Sequence, residues 1–534
     1  MRGTLPDPRE LSKALEGLNA QELLAELVKY HRIQGSPGIN EAARRLSELL
    51  DSLGLGARKL EVPLDTAKGW VETPIAWSPL SARLTLREGD RILASLSLDR
   101  HPTLLAAHSP PGEGCAELSL ATDKEGLAVI TSANPYQAYR ELNAPLIVHY
   151  NLHRHPSGVP YTGLFLRSNE LVPNKVVMNL PGALALKLIE AIARGRRIEA
   201  CWEAKVSWSS AGSMDVVHTC EGGEEVLYVS HVCHPRPGAH DNASGSVANL
   251  LAAVAISKAL GGEGGAVCHA WVPEYTGTAY MDSALRGPSY SINLDMVGSR
   301  QWITGSALAI VNPPAFYELS APAALFVGAK HVLDSIETFS GARAPSIRYD
   351  VSPYSLGSDH DVMIVWGVDA SMLNEWPSKY YHTDLDSPET ISSRALVATA
   401  LASATAALVL VAKETLERAR EVYLEYLRSW YSAKAMSAGV DTSPLSKILG
   451  RGTVPPYDTR RAVPSSRALA RALGWKLYNE LKEVRGGLAY VAVYRPLAEE
   501  VGLEEPLKAF EAEQLIKYGA KEKALIDEAS RALG

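Results

Sequence analysis

The chain has 534 residues, 46% of them hydrophobic and 21% charged, a composition that belongs to folded globular proteins and argues against disorder. At roughly 150 residues per domain, that length makes about two to four domains. The net charge is −7 with Lys and Arg spread along the chain, which excludes the concentrated basic surface that nucleic-acid binding requires.

The first residues, MRGTLPDPRE, put charges and prolines where a signal peptide carries an apolar run, so no secretion signal is expected. Residues 9 to 55 read as helical, with apolar residues at helical spacing in AQELLAELVKY (20–30) and NEAARRLSELLDSL (40–53), joined by the turn signal QGSPG. From about 69 to 206 the texture changes to short apolar runs broken by Gly, Pro and polar clusters: ARLTL, ILASLSL, LAVITS, APLIVHY, GLFLRS, KVVMNL. These predict a β-rich unit, with a helix over 181–194 and a further strand, IEACWEAKV. Beyond residue 225, strand-like VLYVSHV, AVCHAWV and YSINLDMV alternate with helical stretches such as SGSVANLLAAVAISKAL. That order predicts an α/β fold with a mixed, mostly parallel sheet flanked by helices. ALVATALASATAALVLVA (395–412) is long enough to raise the question of a membrane, but its Ala, Ser and Thr content reads better as a buried helix, and no membrane association is expected. Past 414 the chain turns helical and charged, with a break at 450–457 and a lone strand signal, LAYVAVY, near the end. The domain reading is therefore 1–68 with 207–413 as one discontinuous unit, 69–206 as an inserted β-rich unit, and 414–534 as a C-terminal, mainly helical unit. The five cysteines, at 115, 201, 220, 233 and 268, are odd in number and irregular in spacing, which reads as reduced thiols in the cytoplasm.

The densest polar cluster is SHVCHPRPGAHDNASG (230–245), between a predicted strand and a predicted helix. Sites in open α/β sheets form beyond the carboxyl ends of strands, and His231, His234, His240 and Asp241 are the ligand types that zinc takes. A solvated loop with incidental histidines is the plainer reading. Four further clusters are weak singly: Glu274 in WVPEYTGT, Asp295 inside the apolar run SINLDMVG, His382 with Asp384 and Asp386 in SKYYHTDLDSPET, and Ser358, Asp359 and His360 in SLGSDHDV. A carboxylate inside an apolar run is costly unless it is paired or bound to a metal, although a helix cap or turn would also hold Asp295.

In order and content these motifs resemble the zinc aminopeptidase family that also contains glutamate carboxypeptidases and the transferrin-receptor ectodomain. GAHDNASG is similar to that family's Gly-Ala-Asp-Asp-Asn-Ala-Ser-Gly loop, whose second Asp bridges two zinc ions and corresponds to Asp241. NLDMVG resembles its Asn-Leu-Asp-Met strand, giving Asp295 as a ligand, and YYHTDLDSPE resembles its last-ligand loop, giving His382. GSDH resembles a Ser-Asp-His segment of the family. HRIQGSPGINEAARRLSELLDSLGL resembles the opening helices. The resemblance covers about residues 25 to 412. It implies a zinc exopeptidase fold, one or two zinc ions, a peptide substrate, and the metal set His231, Asp241, Glu274, Asp295 and His382, with Glu274 also the catalytic residue. Homo-oligomerisation is left open.

Two positions depart from the family. Its His-x-Asp is His231-Val232-Cys233 here, followed by His234. Alternation along a strand favours His231 as the ligand, with Cys233 in place of the orienting Asp and His234 as the competitor. The family's two adjacent glutamates, a base and a ligand, are reduced to Glu274 alone. The following Gly277 favours the base for Glu274, while the ligand role stays open. Asp359, Asp384 and Asp386 are candidates to hold a substrate amine or to support the metal ligands from behind. Two other readings of the same fold are a single-zinc, glutaminyl-cyclase-like acyl-transfer enzyme and a non-catalytic binding protein.

Overall fold

The computed structural model describes residues 5–449 and 504–533, with 474 and 477 between them, apart from short stretches at 69–70, 121–125, 261–265, 286 and 337–345. LAYVAVY and the break at 450–457 lie outside the described residues. The sequence from Val226 to Trp376 supplies the centre of an eight-stranded sheet. Its order is Arg58–Pro63, Ser213–Gly222, Ala266–Val272, Val226–His231, Tyr290–Asp295, Asp369–Trp376, Ala307–Val311, Tyr349–Ser352. The four central strands are mutually parallel, and antiparallel pairings lie to either side. All six residues of Val226–His231 are buried, which is why that strand reads as a continuous apolar run and shows no alternation. Gly245–Leu260 and Ser393–Leu410 are helices with buried residues around their whole circumference. Ser393–Leu410, and the first helix taken together with the turn before it as Ala239–Leu260, are apolar and long enough to cross a membrane by length and composition, and in this fold each is mostly enclosed by protein.

The seven strands between Ala76 and Ser209 form a separate sheet. Its order is Arg91–Ser97, Ala76–Glu88, Glu199–Ser209, Gly112–Ser119, Ala128–Thr131, Leu146–Tyr150, Val176–Leu180. Half of it is parallel, from Gly112–Ser119 onward, and the helices Pro135–Glu141 and Gly182–Ala193 accompany that half. The first helix escaped the sequence reading because its seven residues are too few to display a period.

The expectation of reduced thiols is overturned for four of the five cysteines. Cys115 is bonded to Cys201 and Cys220 to Cys268, while Cys233 is free and buried. Each pair occupies directly opposed positions on neighbouring antiparallel strands. Strand register brings the partners together, and nothing in the linear spacing announces it. The pairing removes the observation on which the compartment expectation rested.

Lys413–Ala438 is a 26-residue helix that buries Leu416, Ala419, Tyr423, Leu427, Tyr431 and Ala435, a stripe three to four residues apart. The helix Glu504–Tyr518 packs beside it and buries Glu513, whose carboxylate accepts the Ala315 N–H at 3.0 Å and the Tyr431 hydroxyl. Burial pushes the Glu513 carboxyl up to about 7. A carboxyl raised on folding stabilises the fold below its unfolded value and loses that contribution as pH rises through the folded value. Between pH 5 and pH 7 the loss is about 2 kcal/mol. Glu513→Gln is expected to flatten this dependence, so its thermal midpoint falls less than that of the parent protein over the same pH interval.

Candidate metal centre

Every anchor of the centre stands at or just beyond the carboxyl end of a parallel strand. His231 ends Val226–His231, Asp295 ends Tyr290–Asp295, Glu274 follows Ala266–Val272, and His382 follows Asp369–Trp376. Asp241 is brought to the same place by the loop after His231. Gly238 takes φ +55° there, with the His234 ring so close that a Cβ would lie 2.4 Å from its Nδ1. Asp386 accepts the N–H groups of His240 and Asp241, at 2.8 and 2.9 Å. Asn242 bridges Leu294 O, Gly245 N and Met296 N, tying the loop to the strand that carries Asp295. From beneath, Arg32 is wholly buried and donates to the carbonyls of Leu27, Val232 and Gly238 at 2.5, 2.8 and 3.0 Å. Its backbone pairs with that of His234 in both directions.

The two oxygens of Asp241 face two different groups. Oδ1 lies 3.3 Å from His231 Nε2, which is itself 3.3 Å from Asp295 Oδ1. Oδ2 lies 3.0 Å from His382 Nε2 and 3.5 Å from His234 Nε2. Within each trio, His231–Asp241–Asp295 and His234–Asp241–His382, one ligand atom per residue falls within 4.8 Å of the others. Glu274 joins a third trio with His231 and Cys233, so its carboxylate borders the first group without being part of either. His231 and His234 thus face different oxygens of one carboxylate. Strand alternation fails at this point because the strand stops at His231 and the chain turns out of the sheet.

The imidazoles are oriented through their Nδ1 atoms. His231 Nδ1 is 3.2 Å from Cys233 O, and His234 Nδ1 is 2.8 Å from Pro235 O. A carbonyl acceptor fixes the Nδ1–H tautomer and leaves the Nε2 lone pair pointing inward. The orienting group for His231 is thus the Cys233 carbonyl; the thiol sits 3.9 Å away and accepts the Glu274 N–H at 3.2 Å. His240 is turned aside, between Glu375 (3.3 Å) and Ser378 (3.2 Å).

Of the three carboxylates offered for a substrate amine, two are already engaged. Asp384 accepts Val159 N–H at 2.8 Å and contacts His101 Nδ1 at 2.7 Å, and Asp386 holds the Asp241 loop. Asp359 uses Oδ1 for Tyr275 N–H (2.7 Å) and the Thr278 hydroxyl (2.5 Å), and its buried Oδ2 makes no hydrogen bond. The connection between Leu146–Tyr150 and Val176–Leu180 also reaches the centre. Tyr161 donates its N–H to His382 O at 2.7 Å and sets its ring 4.8 Å from that of His234 and 5.0 Å from that of His382.

The electrostatics are those of a site built for a cation. Burial pushes the Glu274 carboxyl well up, and Asp359, Asp295 and Asp241 add to the shift against the opposing charge of His231. Burial would lower His231, but Glu274 and Asp295 raise it well above an ordinary imidazole. Burial lowers His234 to about 3, so it presents a neutral lone pair. His234 Nε2 and Asp295 Oδ1 are buried without a hydrogen-bond partner. Orphaned inward-facing acceptors, drawn from imidazoles and carboxylates, fit zinc.

Fold and centre together define an α/β protein with imidazole and carboxylate donors gathered at the strand ends, a metal-site arrangement. Residues 215–407 match the model of peptidase family M28. Among solved structures, the chain is similar to a peptidase M28 precursor from Shewanella amazonensis SB2B (14% identity, 76% of this chain and 95% of that one, TM-score 0.55). It is also similar to BSAP, a zinc aminopeptidase from Bacillus subtilis (18%, 76% and 96%, 0.52), and to an aminopeptidase from Aneurinibacillus sp. strain AM-1 (16%, 75% and 95%, 0.50). At these identities the likeness is one of fold. No curated protein matches the chain.

Proposed function

We propose that this chain is a zinc-dependent aminopeptidase with two ion positions that share Asp241. The first would be held by His231, Asp241 and Asp295, the second by His234, Asp241 and His382. The observation that carries the reading is the division of Asp241's two oxygens between two trios of donors. In the resembled family the second ion takes a glutamate; here His234 supplies the third donor, from the opposite side of the loop. The peptidase unit is assigned to 1–68 with 207–413, except that the strand running to Ser209 goes with the inserted unit. Residues 414–534 form the C-terminal unit.

Zinc bound at such a site polarises a carbonyl and lowers the pKa of water toward about 7. The chain's own part is proton handling and orientation. The Glu274 carboxylate accepts a proton from the attacking water and returns it to the leaving amine. Burial raises its affinity for protons, which strengthens it as the acceptor in the first half of that exchange. Asp359 Oδ2, buried and unengaged, offers a charge for the substrate's free α-amine, which would confine cutting to the N-terminal bond. Tyr161 and the loop at His382 wall the second position from solvent.

The test is zinc content together with product release. Two zinc ions per chain, and a free amino acid released from aminoacyl-anilides and short peptides but not from N-acetylated ones, are the expected results. One zinc per chain with no release from any of these substrates would overturn the reading.

A further inference from the structure

We propose that Tyr275 is a positioning residue, whose side chain locks the turn that aims Glu274. The inference rests on Glu274 being the proton acceptor. Tyr275 has φ +58° and ψ −52°, a conformation that residues with a side chain rarely adopt. The Thr276 N–H donates to Glu274 O at 2.6 Å across it, so 274–276 form a γ-turn of the positive-φ, strained kind. Such a turn persists only where its surroundings over-determine it.

Here they do. The Tyr275 N–H donates to Asp359 Oδ1 at 2.7 Å, and the Thr278 hydroxyl donates to the same oxygen. The Tyr275 hydroxyl donates to Asp361 Oδ2 at 2.5 Å. Asp361 is itself fixed by the Tyr354 hydroxyl at 2.6 Å and the Gly357 N–H at 2.8 Å. Behind it, the carbonyl of Tyr354 accepts from Gln514 and Lys517 of Glu504–Tyr518, each at 3.3 Å. On the other side Gln34 Nε2 donates to Glu274 O at 3.0 Å. Gly277 permits the turn to close, because a Cβ there would lie 2.5 Å from Pro273 Cδ.

The tyrosine thus stands where the resembled family carries its second glutamate, but its side chain runs away from the ion positions into an anchor. What that position supplies is the aim of the neighbouring carboxylate. The chain of contacts also gives the C-terminal helix a function: it holds the platform on which Tyr275 is anchored.

The test is Tyr275→Phe, which removes only the anchoring hydroxyl, compared with Tyr349→Phe, which removes a similar hydroxyl from Asp334 far from the centre. For Tyr275→Phe the expected result is a kcat lowered about tenfold or more, toward the roughly hundredfold cost of misplacing a reacting group by an ångström. KM and zinc content should stay within twofold of the parent, and Tyr349→Phe should leave all three unchanged. A lowered zinc content, or equal losses of activity in both variants, would mean a merely structural role and overturn the proposal. So would an unchanged kcat in Tyr275→Phe. A crystal structure of zinc-loaded Tyr275→Phe reads the same point without turnover: the proposal expects the 274–276 turn to open and the Glu274 carboxylate to move. A turn and carboxylate left in place would overturn it. If the parent protein hydrolyses no peptide at all, the aminopeptidase reading falls, and the crystal structure still decides whether Tyr275 holds the turn.

Discussion

Asp241→Asn is expected to strip zinc from both positions at once and to abolish peptide hydrolysis. One carboxylate lies against His231 on one side and against His234 and His382 on the other. Asn keeps the shape and one acceptor oxygen, but it loses the negative charge and presents an amide nitrogen to one of the two trios. A donor of positive hydrogens facing a cation is repulsive, so the trio meeting the amide should fail outright. The other keeps an amide oxygen in place of the carboxylate and is weakened by the lost charge. Removing a primary ligand should cost more than the ten- to hundredfold lost with an outer partner. Metal analysis after dialysis should therefore find less than about one zinc ion per two chains, against two per chain in the parent. His234→Ala is the informative contrast, because it touches only one trio: one ion per chain should remain. If Asp241→Asn retained two ions, the shared-carboxylate arrangement would be wrong.

How far the sequence foretold this site depends on the reach of each local rule. Asp295 and His231 were legible because a polar residue closing a buried, apolar strand has few uses other than a site at the strand end. The motif around Asp241 was legible by resemblance, and the structure adds the physical reason for it. Asn242 and Gly245 serve the hydrogen-bond frame that turns the loop, and Asp386, from a motif 145 residues away, holds the backbone of Asp241. His234 was legible only as a rival to His231. Strand alternation compares residues on one element, and it says nothing once the chain leaves that element. The pairing with Arg32, about 200 residues earlier, sets where His234 points. The same limit hid the disulfides. Register between Cys115 and Cys201, or between Cys220 and Cys268, is a property of the sheet and leaves no mark on linear spacing. Asp384 and Asp386 were legible as either substrate carboxylates or supporting groups, and the choice between the two rests on hydrogen bonds to distant backbone amides, which carry no sequence signature.

Glu274→Gln separates the two roles that the sequence left open. As a base, Glu274 contributes its proton affinity, and the loss expected from removing a general base is about 10²- to 10⁴-fold in kcat with zinc content unchanged. As a ligand, its replacement would cost metal first and activity as a consequence. The geometry favours the former, because Glu274 groups with His231 and Cys233 and stands outside both trios centred on Asp241. Its environment points the same way. Burial, with Asp359, Asp295 and Asp241, outweighs the opposing charge of His231 and raises the carboxyl's affinity for a proton, which strengthens it as an acceptor. Gln preserves size and the backbone bonds to Cys233 Sγ and Gln34, so the turn at Tyr275 should survive the substitution. The measurement is kcat and zinc stoichiometry on the same preparation. A fall in kcat of two or more decades with two ions still bound assigns the base; loss of an ion in step with activity would move Glu274 into the metal set and leave the acceptor of the water's proton to be sought elsewhere.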